Sequence, residues 1–214
     1  MIKFIFSRCC LFTCLFISIQ VLADEKQTKP AIPNILIVGD SISAGFGLRQ
    51  DQSWTQLLQT RINDMHYSYK VINASLSGDT TAGGSKRIQK SLEQHQPDIV
   101  IIELGANDGL RGFNLKQMQS NLAYMIDLCL NNNHQVLLVG MQLPPNYGPT
   151  YTKRFSSIYQ TLATEKKIAL VPFLFNGFAN DRTLFQADQI HPNARAQTYL
   201  LDNVWLTLKT MLKH

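Results

Sequence analysis

From Asn34 onward the chain alternates two kinds of apolar patterning. Ile35-Leu36-Ile37-Val38, Tyr69-Lys70-Val71-Ile72, Ile99-Val100-Ile101-Ile102, Val136-Leu137-Leu138-Val139 and Ala169-Leu170-Val171-Pro172 are short runs rich in branched residues. Most are unbroken rather than alternating with polar positions, which is the pattern of parallel strands covered on both faces. Between them, residues 53–64, 81–94, 114–132 and 152–166 have helical length and composition. The clearest case is Leu115, Met118, Leu122, Met125 or Ile126, and Cys129, spaced three or four apart on one stripe. A last helix is expected to start near Pro192, whose fixed φ suits a first helical position, and to bury Ala196, Leu200, Val204, Leu208 and Met211 or Leu212. Five strands alternating with five helices predict a doubly wound α/β domain of three layers, α/β/α, with right-handed crossovers. Ligands of such a sheet bind at the carboxyl ends of its strands.

The segment ahead of this alternation reads differently. Met1 to Arg8 carries two positive charges, Cys9 to Val21 is mostly apolar, and Val21-Leu22-Ala23 ends in a small residue. That is the pattern of a signal peptide cleaved after Ala23. The apolar run of 13 residues is shorter than the ~20 needed to span hydrocarbon, which argues against an uncleaved anchor. Leu11-Phe12-Thr13-Cys14 is a poor lipidation site. The expected organisation is a signal peptide over 1–23, an extended lead-in with two prolines over 24–33, and one domain over 34–214. The expected location is the periplasm or the medium.

Composition narrows the function classes. With 214 residues, 45% hydrophobic and 16% charged, the chain suits one globular domain. The formal charge of +5 drops once Lys3 and Arg8 leave with the leader, and it is too small and dispersed to suggest nucleic acid. Cys9, Cys10 and Cys14 leave too, so only Cys129 remains and no intrachain disulfide is possible. Its place on an apolar stripe favours a buried, inert thiol. His66, His95, His134, His191 and His214 are scattered, with no two at ligand spacing, so no metal site is expected.

Residues of chemical interest fall just past the strands. The first strand runs into Gly39-Asp40-Ser41-Ile42-Ser43-Ala44-Gly45-Phe46-Gly47, placing Ser41 on a tight turn at a carboxyl end. A nucleophile there is exposed and within reach of backbone N–H groups, although a serine that merely caps a helix has the same local sequence. The Gly-x-Ser-x-Gly elbow is broken because position 43 is Ser, and Gly39-x-Ser41 breaks the dinucleotide fingerprint. After the second strand comes Ser75-Leu76-Ser77-Gly78-Asp79-Thr80, where Gly78 lets the backbone approach a ligand and turn its N–H toward an oxyanion. After the third comes Gly105-Ala106-Asn107-Asp108-Gly109, where the Asn107 amide offers an uncharged donor suited to the same task. Finally, Asp188-Gln189-Ile190-His191-Pro192 puts a carboxylate three residues before a histidine. One tight turn lets Asp188 hold Nδ1–H of His191 and leaves Nε2 to take a proton from Ser41. Each signal is weak alone, and their convergence on one edge of one sheet gives them weight.

The four segments resemble blocks I, II, III and V of the SGNH, or GDSL-type, hydrolase superfamily, in order and spacing across nearly the whole chain after the leader. The resemblance implies Ser41 as nucleophile, Asp188 and His191 as the other triad members, and Ser41, Gly78 and Asn107 as oxyanion donors. It also implies a flavodoxin-like strand order, 2-1-3-4-5, and no cofactor. Gly-Asp-Ser-Ile-Ser-Ala-Gly-Phe-Gly, Ser-Gly-Asp-Thr-Thr-Ala-Gly-Gly, Gly-Ala-Asn-Asp-Gly-Leu-Arg-Gly and the loop Leu143-Pro144-Pro145-Asn146-Tyr147-Gly148 are similar to the bacterial periplasmic thioesterase, lysophospholipase and arylesterase branch.

Three functions follow from this reading. The first is an esterase and thioesterase for lipid or other small acyl esters, with Phe46, Leu48, Leu110, Phe113, Leu143, Asn146 and Tyr147 on the active-edge loops as candidate substrate contacts. The second is a carbohydrate deacetylase, which would favour exposed Trp and Tyr, whereas Trp54 and Trp205 fall within predicted helices. The third, a catalytically silent lipid-binding protein, sits poorly with an intact four-block set. The expected partner is a small acyl ester, with at most transient membrane-surface contact, no nucleic acid, and a monomeric state.

Overall fold

The computed structural model describes residues 32–213. The five apolar runs form β1 (Asn34–Gly39), β2 (Lys70–Asn73), β3 (Ile99–Glu103), β4 (Gln135–Val139) and β5 (Ala169–Val171). They pair in parallel in the order β2-β1-β3-β4-β5, which is the order the resemblance implies. Ile35 lies opposite Val71 on one side and Ile99 on the other. Strands that are apolar at consecutive positions need cover on both faces, and Ile35 to Val38 and Ile99 to Ile102 are fully buried. The edge strand β2 is only half-buried at Val71 and Ile72.

Among the described residues seven α-helices supply that cover: α1 (Ser41–Ala44), α2 (Trp54–Asp64), α3 (Thr81–His95), α4 (Ala106–Leu110), α5 (Leu115–Asn131), α6 (Pro149–Lys166) and α7 (Gln197–Leu208). α2 packs on α7 to form one outer layer, while α5 packs on both α3 and α6 to form the other. In α5 the apolar stripe buries Leu115, Met118, Leu122, Met125, Ile126 and Cys129. Burial pushes the Cys129 thiol up to about 12, as expected of an inert core cysteine. α2, α3 and α5 start on side-chain caps: Ser53 accepts from the N–H of Gln56, Thr80 from Gly83, and Asn114 from Lys116.

Several boundaries differ from expectation. The last helix begins at Gln197 rather than near Pro192. Pro192 instead bridges Phe185 in an antiparallel pair, and Asn193 caps a 3₁₀ turn, Ala194–Ala196, before the helix starts. α6 begins at Pro149, three residues before the predicted start, because proline occupies its first position and Gly148 at φ 85° redirects the chain. The short helices α1 and α4 have no periodicity of their own to betray them, and they carry Ser41 and Asn107. The predicted leader, 1–23, and most of the lead-in, 24–33, lie outside the described residues.

Candidate active site

β1 ends at Gly39 and the chain turns directly into α1. Asp40 caps that turn, its Oδ1 accepting from the Ile42 N–H at 2.9 Å, and Gly45 at φ 72° closes it. Ser41 is therefore the first helical residue, at the carboxyl edge of the central strand pair. Gly39 is required by close packing: a Cβ there would meet the Ser43 side chain at 2.7 Å and Glu103 Oε2 at 2.8 Å.

The segment after β5 brings the histidine. Asp188 Oδ1 accepts from the N–H groups of Ile190 and His191, at 2.9 and 3.0 Å, and shapes a tight turn with Gln189 at φ 59°. Its other oxygen, Oδ2, lies 2.7 Å from His191 Nδ1, and His191 Nε2 lies 2.9 Å from Ser41 Oγ. A carboxylate can only accept here, so Nδ1 carries the proton and Nε2 is the acceptor facing the serine. Burial alone would raise Asp188. The backbone N–H groups of His191 and Ile190, together with the His191 ring, outweigh that effect and bring it down to about 2. The Phe46 ring lies 4.6 Å from the imidazole, centroid to centroid. Gln186 Nε2 donates to the Phe46 carbonyl and to that of Pro192, at 2.7 and 3.2 Å, tying the loop after β1 to the histidine turn.

Asn107 lies where three loops meet. Its Nδ2 donates to the Asp79 carbonyl at 2.9 Å and to Asp40 Oδ2 at 3.2 Å, while its Oδ1 accepts from Arg111 Nη2 at 3.4 Å. Acceptors on one side and a cationic donor on the other fix the orientation of the amide. The same guanidinium donates to the Gly78 carbonyl at 3.1 Å. Gly78 adopts φ 78°, a left-handed conformation open to glycine. Below it Asp79 pairs with Arg87 at 2.8 Å, and Arg87 also donates to the Ala74 carbonyl. The N–H groups of Ser41 and Gly78 have no acceptor among the described residues, so three donors gather beside the serine turn.

Two buried acids support the turn from within. Burial pushes Asp40 up to about 6, against the opposing pull of the Ile42 N–H, His191 and Asn107. Burial and the neighbouring charge of Asp40 hold Glu103 well above the ordinary carboxylate range, and Glu103 accepts from Ser43 Oγ at 2.6 Å and from the Asp40 N–H at 3.4 Å. Burial disfavours a second charge beside Asp40, and that is what raises Glu103. Sequence reasoning gave neither acid a role, and Arg87 and Arg111 were missed as well. A carboxylate closing the otherwise apolar run Ile99-Val100-Ile101-Ile102-Glu103 was the available signal.

The substrate-side candidates divide. Phe46 is exposed beside His191. Tyr147 donates its hydroxyl to the Leu110 carbonyl at 3.0 Å, joining the loop after β4 to the half-buried end of α4. Leu143 is buried behind that joint, within reach of Gly109. Asn146 and Phe113 are exposed. Leu48 lines a separate cleft of about 430 Å³ with Ala44, Gly45, Ser53 and Gln59, and no triad member borders it.

Residues 37–198 match the model of the GDSL-like lipase/acylhydrolase family. Esterase TesA of Pseudomonas aeruginosa is 50% identical over 184 residues, 86% of this chain and 92% of that protein. The thioesterase 1/protease 1/lysophospholipase L1 of Escherichia coli K12 is 40% identical over 86% of this chain and 87% of its own. A crystal structure of TesA superposes with a TM-score of 0.82 at 51% identity, covering 84% of this chain and 99% of the other. The match spans the serine turn, the glycine loop, the asparagine helix and the histidine turn together, and the chain belongs to the GDSL-like lipase/acylhydrolase family.

Proposed function

We propose that the protein is a serine esterase and thioesterase of small acyl substrates, including lysophospholipids, fatty acyl thioesters and aryl esters, that works through an acyl-enzyme on Ser41. The observation that carries this reading is the continuous relay from Asp188 through His191 to Ser41, at 2.7 and 2.9 Å. Ser41 Oγ attacks the acyl carbonyl as its proton passes to His191 Nε2, and the ionised Asp188 stabilises the imidazolium that forms. The Ser41 and Gly78 N–H groups and Asn107 Nδ2 receive the oxyanion. Collapse of the tetrahedral adduct expels the alcohol or thiol, which takes the proton from His191. Water, deprotonated by His191, then attacks the acyl-serine, releases the carboxylic acid and restores Ser41.

The relatives' names carry the same chemistry, as an esterase and as a thioesterase/lysophospholipase. A carbohydrate deacetylase is less well supported: both tryptophans are buried in α2 and α7, which leaves no indole beside Ser41 for a sugar ring. The N-terminal pattern supports export and cleavage after Ala23, which would place envelope esters within reach.

The test is a hydrolysis panel across acyl lengths and leaving groups, with Ser41→Ala as control, joined to labelling by a serine-directed phosphonate. Label confined to Ser41 and hydrolysis lost in the variant support the reading. Label on Ser43, Ser75 or Ser77 would falsify it.

A further inference from the structure

We propose that the active edge of the sheet is a docking face for an anionic lipid surface, so that the protein takes ester substrate from a membrane or micelle rather than only from solution. This rests on the esterase reading above and deepens it. Ten large hydrophobic side chains stand exposed among the described residues, and five of them lie on loops of this one edge: Phe46, Leu76, Phe113, Tyr147 and Ile190. They fall on the segments that follow β1, β2, β3, β4 and β5 in turn. Phe46 contacts the His191 ring and Ile190 precedes it in the chain. Leu76 lies in the loop whose Gly78 carbonyl Arg111 holds, and Phe113 lies beyond α4, where the Tyr151 hydroxyl reaches toward its carbonyl. The remaining five, Ile32, Met65, Tyr124, Tyr199 and Leu206, are dispersed over other elements. Five exposed apolar side chains gathered on the loops of one sheet edge are more than the scattered single ones any surface carries.

The charge on the same edge selects the partner. Arg111, Lys116 in the first turn of α5, and Lys153 and Arg154 in the first two turns of α6 are exposed. No ion pair joins any of these four to an acid among the described residues. The acids of these loops are otherwise engaged: Asp40, Glu103 and Asp108 are buried, Asp51 pairs with Arg49, Asp79 with Arg87 and Asp188 with His191. Asp181, bonded to Thr183, is the exposed exception. Half-exposed apolar groups flanked by unpaired cations match the boundary between acyl chains and anionic headgroups. A second protein copy, presenting the same cations, would be repelled from this face.

The experiment uses the protein as the cell processes it, with vesicles of phosphatidylcholine containing about one quarter phosphatidylglycerol as the probe. Wild type is expected to cosediment with these vesicles. The double variant Leu76→Ser/Ile190→Ser should lower the partition coefficient at least about tenfold. In Lys116→Gln/Lys153→Gln/Arg154→Gln each lost charge should cost about a fivefold factor, reproduced in wild type by high salt. Met65→Ser/Leu206→Ser, which alters exposed apolar groups off this edge, should leave partitioning unchanged. Hydrolysis of a soluble short-chain aryl ester should be the same in Lys116→Gln/Lys153→Gln/Arg154→Gln and in Met65→Ser/Leu206→Ser as in wild type. Failure of wild type to bind vesicles while hydrolysing the soluble ester overturns the docking face and leaves the esterase reading standing. Equal loss of binding in Met65→Ser/Leu206→Ser, or no loss in Leu76→Ser/Ile190→Ser, also overturns it, as does a dimer that buries the face in place of vesicle binding. Absence of hydrolysis in wild type defeats the esterase reading itself, whatever the vesicles show.

Discussion

Replacing Asn107 by alanine tests how the oxyanion site is built. In the resting enzyme Asn107 Nδ2 spends its two protons on the Asp79 carbonyl and Asp40 Oδ2, and Arg111 faces its Oδ1. A developing oxyanion draws on one of those protons, so the donor contributes mainly in the transition state. Its loss should lower kcat by about 10² to 10³, or about 3 to 4 kcal/mol, with little change in KM. The same substitution strips a charge-assisted bond from a carboxylate that burial already penalises. Bonds of that kind contribute about 1.5 to 3 kcal/mol, which for a domain of this size lowers Tm by roughly 4 to 9 °C. Asn107→Asp should be worse for stability than Asn107→Ala, because it sets a second carboxylate against Asp40 and the Asp79 carbonyl. Steady-state kinetics on one aryl ester, with thermal unfolding of the same three proteins, resolves both effects. A raised KM at unchanged kcat would show that Asn107 binds substrate in the ground state, and an unchanged Tm would show that Asp40 does not depend on it.

Four further outcomes are expected. Ser41→Ala and His191→Ala should each cost several orders of magnitude in kcat, and the double variant little more, because the triad acts as a unit; full additivity in the double variant would contradict the shared relay. Asp188, held at about 2, contributes stability that is complete above its ordinary value of 3.8 and is lost as pH falls toward 2. Asp40, raised to about 6, has the opposite sign, so stability should improve as pH falls from 6 toward 4; Tm against pH for wild type and Asp188→Asn should show the lower limb in wild type alone. Cys129 should resist thiol reagents until the protein unfolds, since it is fully buried, and rapid labelling of the native protein would contradict that. N-terminal sequencing of the exported chain should begin at Asp24, and retention of Met1 in a cytoplasmic fraction would defeat the leader reading.

The sheet was legible because its strands are apolar at nearly every position. Ile35 to Val38 and Ile99 to Ile102 admit no solvent-facing side, and a run of that kind has few homes besides the centre of a doubly wound sheet. Strand order is a different matter. Periodicity cannot tell which strand neighbours which, and 2-1-3-4-5 came from the resemblance of the four blocks. The expected helix starts at 53 and 114 fall on Ser53 and Asn114, which cap α2 and α5. The start of α7 was not, because Pro192 is also suited to an extended bridge, and its pairing with Phe185 is a contact made only in the folded chain.

The proposed triad was legible for a local reason: Asp188 and His191 sit within one turn, and Ser41 follows directly on β1. What supports them is non-local. Asp40 reaches Asn107 across 67 positions of sequence, and Ser43 reaches Glu103 across 60. Such pairs are joined by β1 lying beside β3, with Gly39 opposite Glu103, so they exist only once the sheet has formed. The arrangement has a physical consequence. Asp40 holds the N-terminus of α1 through Ile42 and holds Asn107 through its other oxygen, so one buried carboxylate sets the position of both the turn of the proposed nucleophile and a proposed oxyanion donor. Glu103 beneath, held well above the ordinary carboxylate range by burial and the charge of Asp40, accepts from Ser43. Two ionised carboxylates at that depth would each raise the other and weaken the turn, and the hydrogen bonds from Ile42, Asn107 and Ser43 are what oppose that effect.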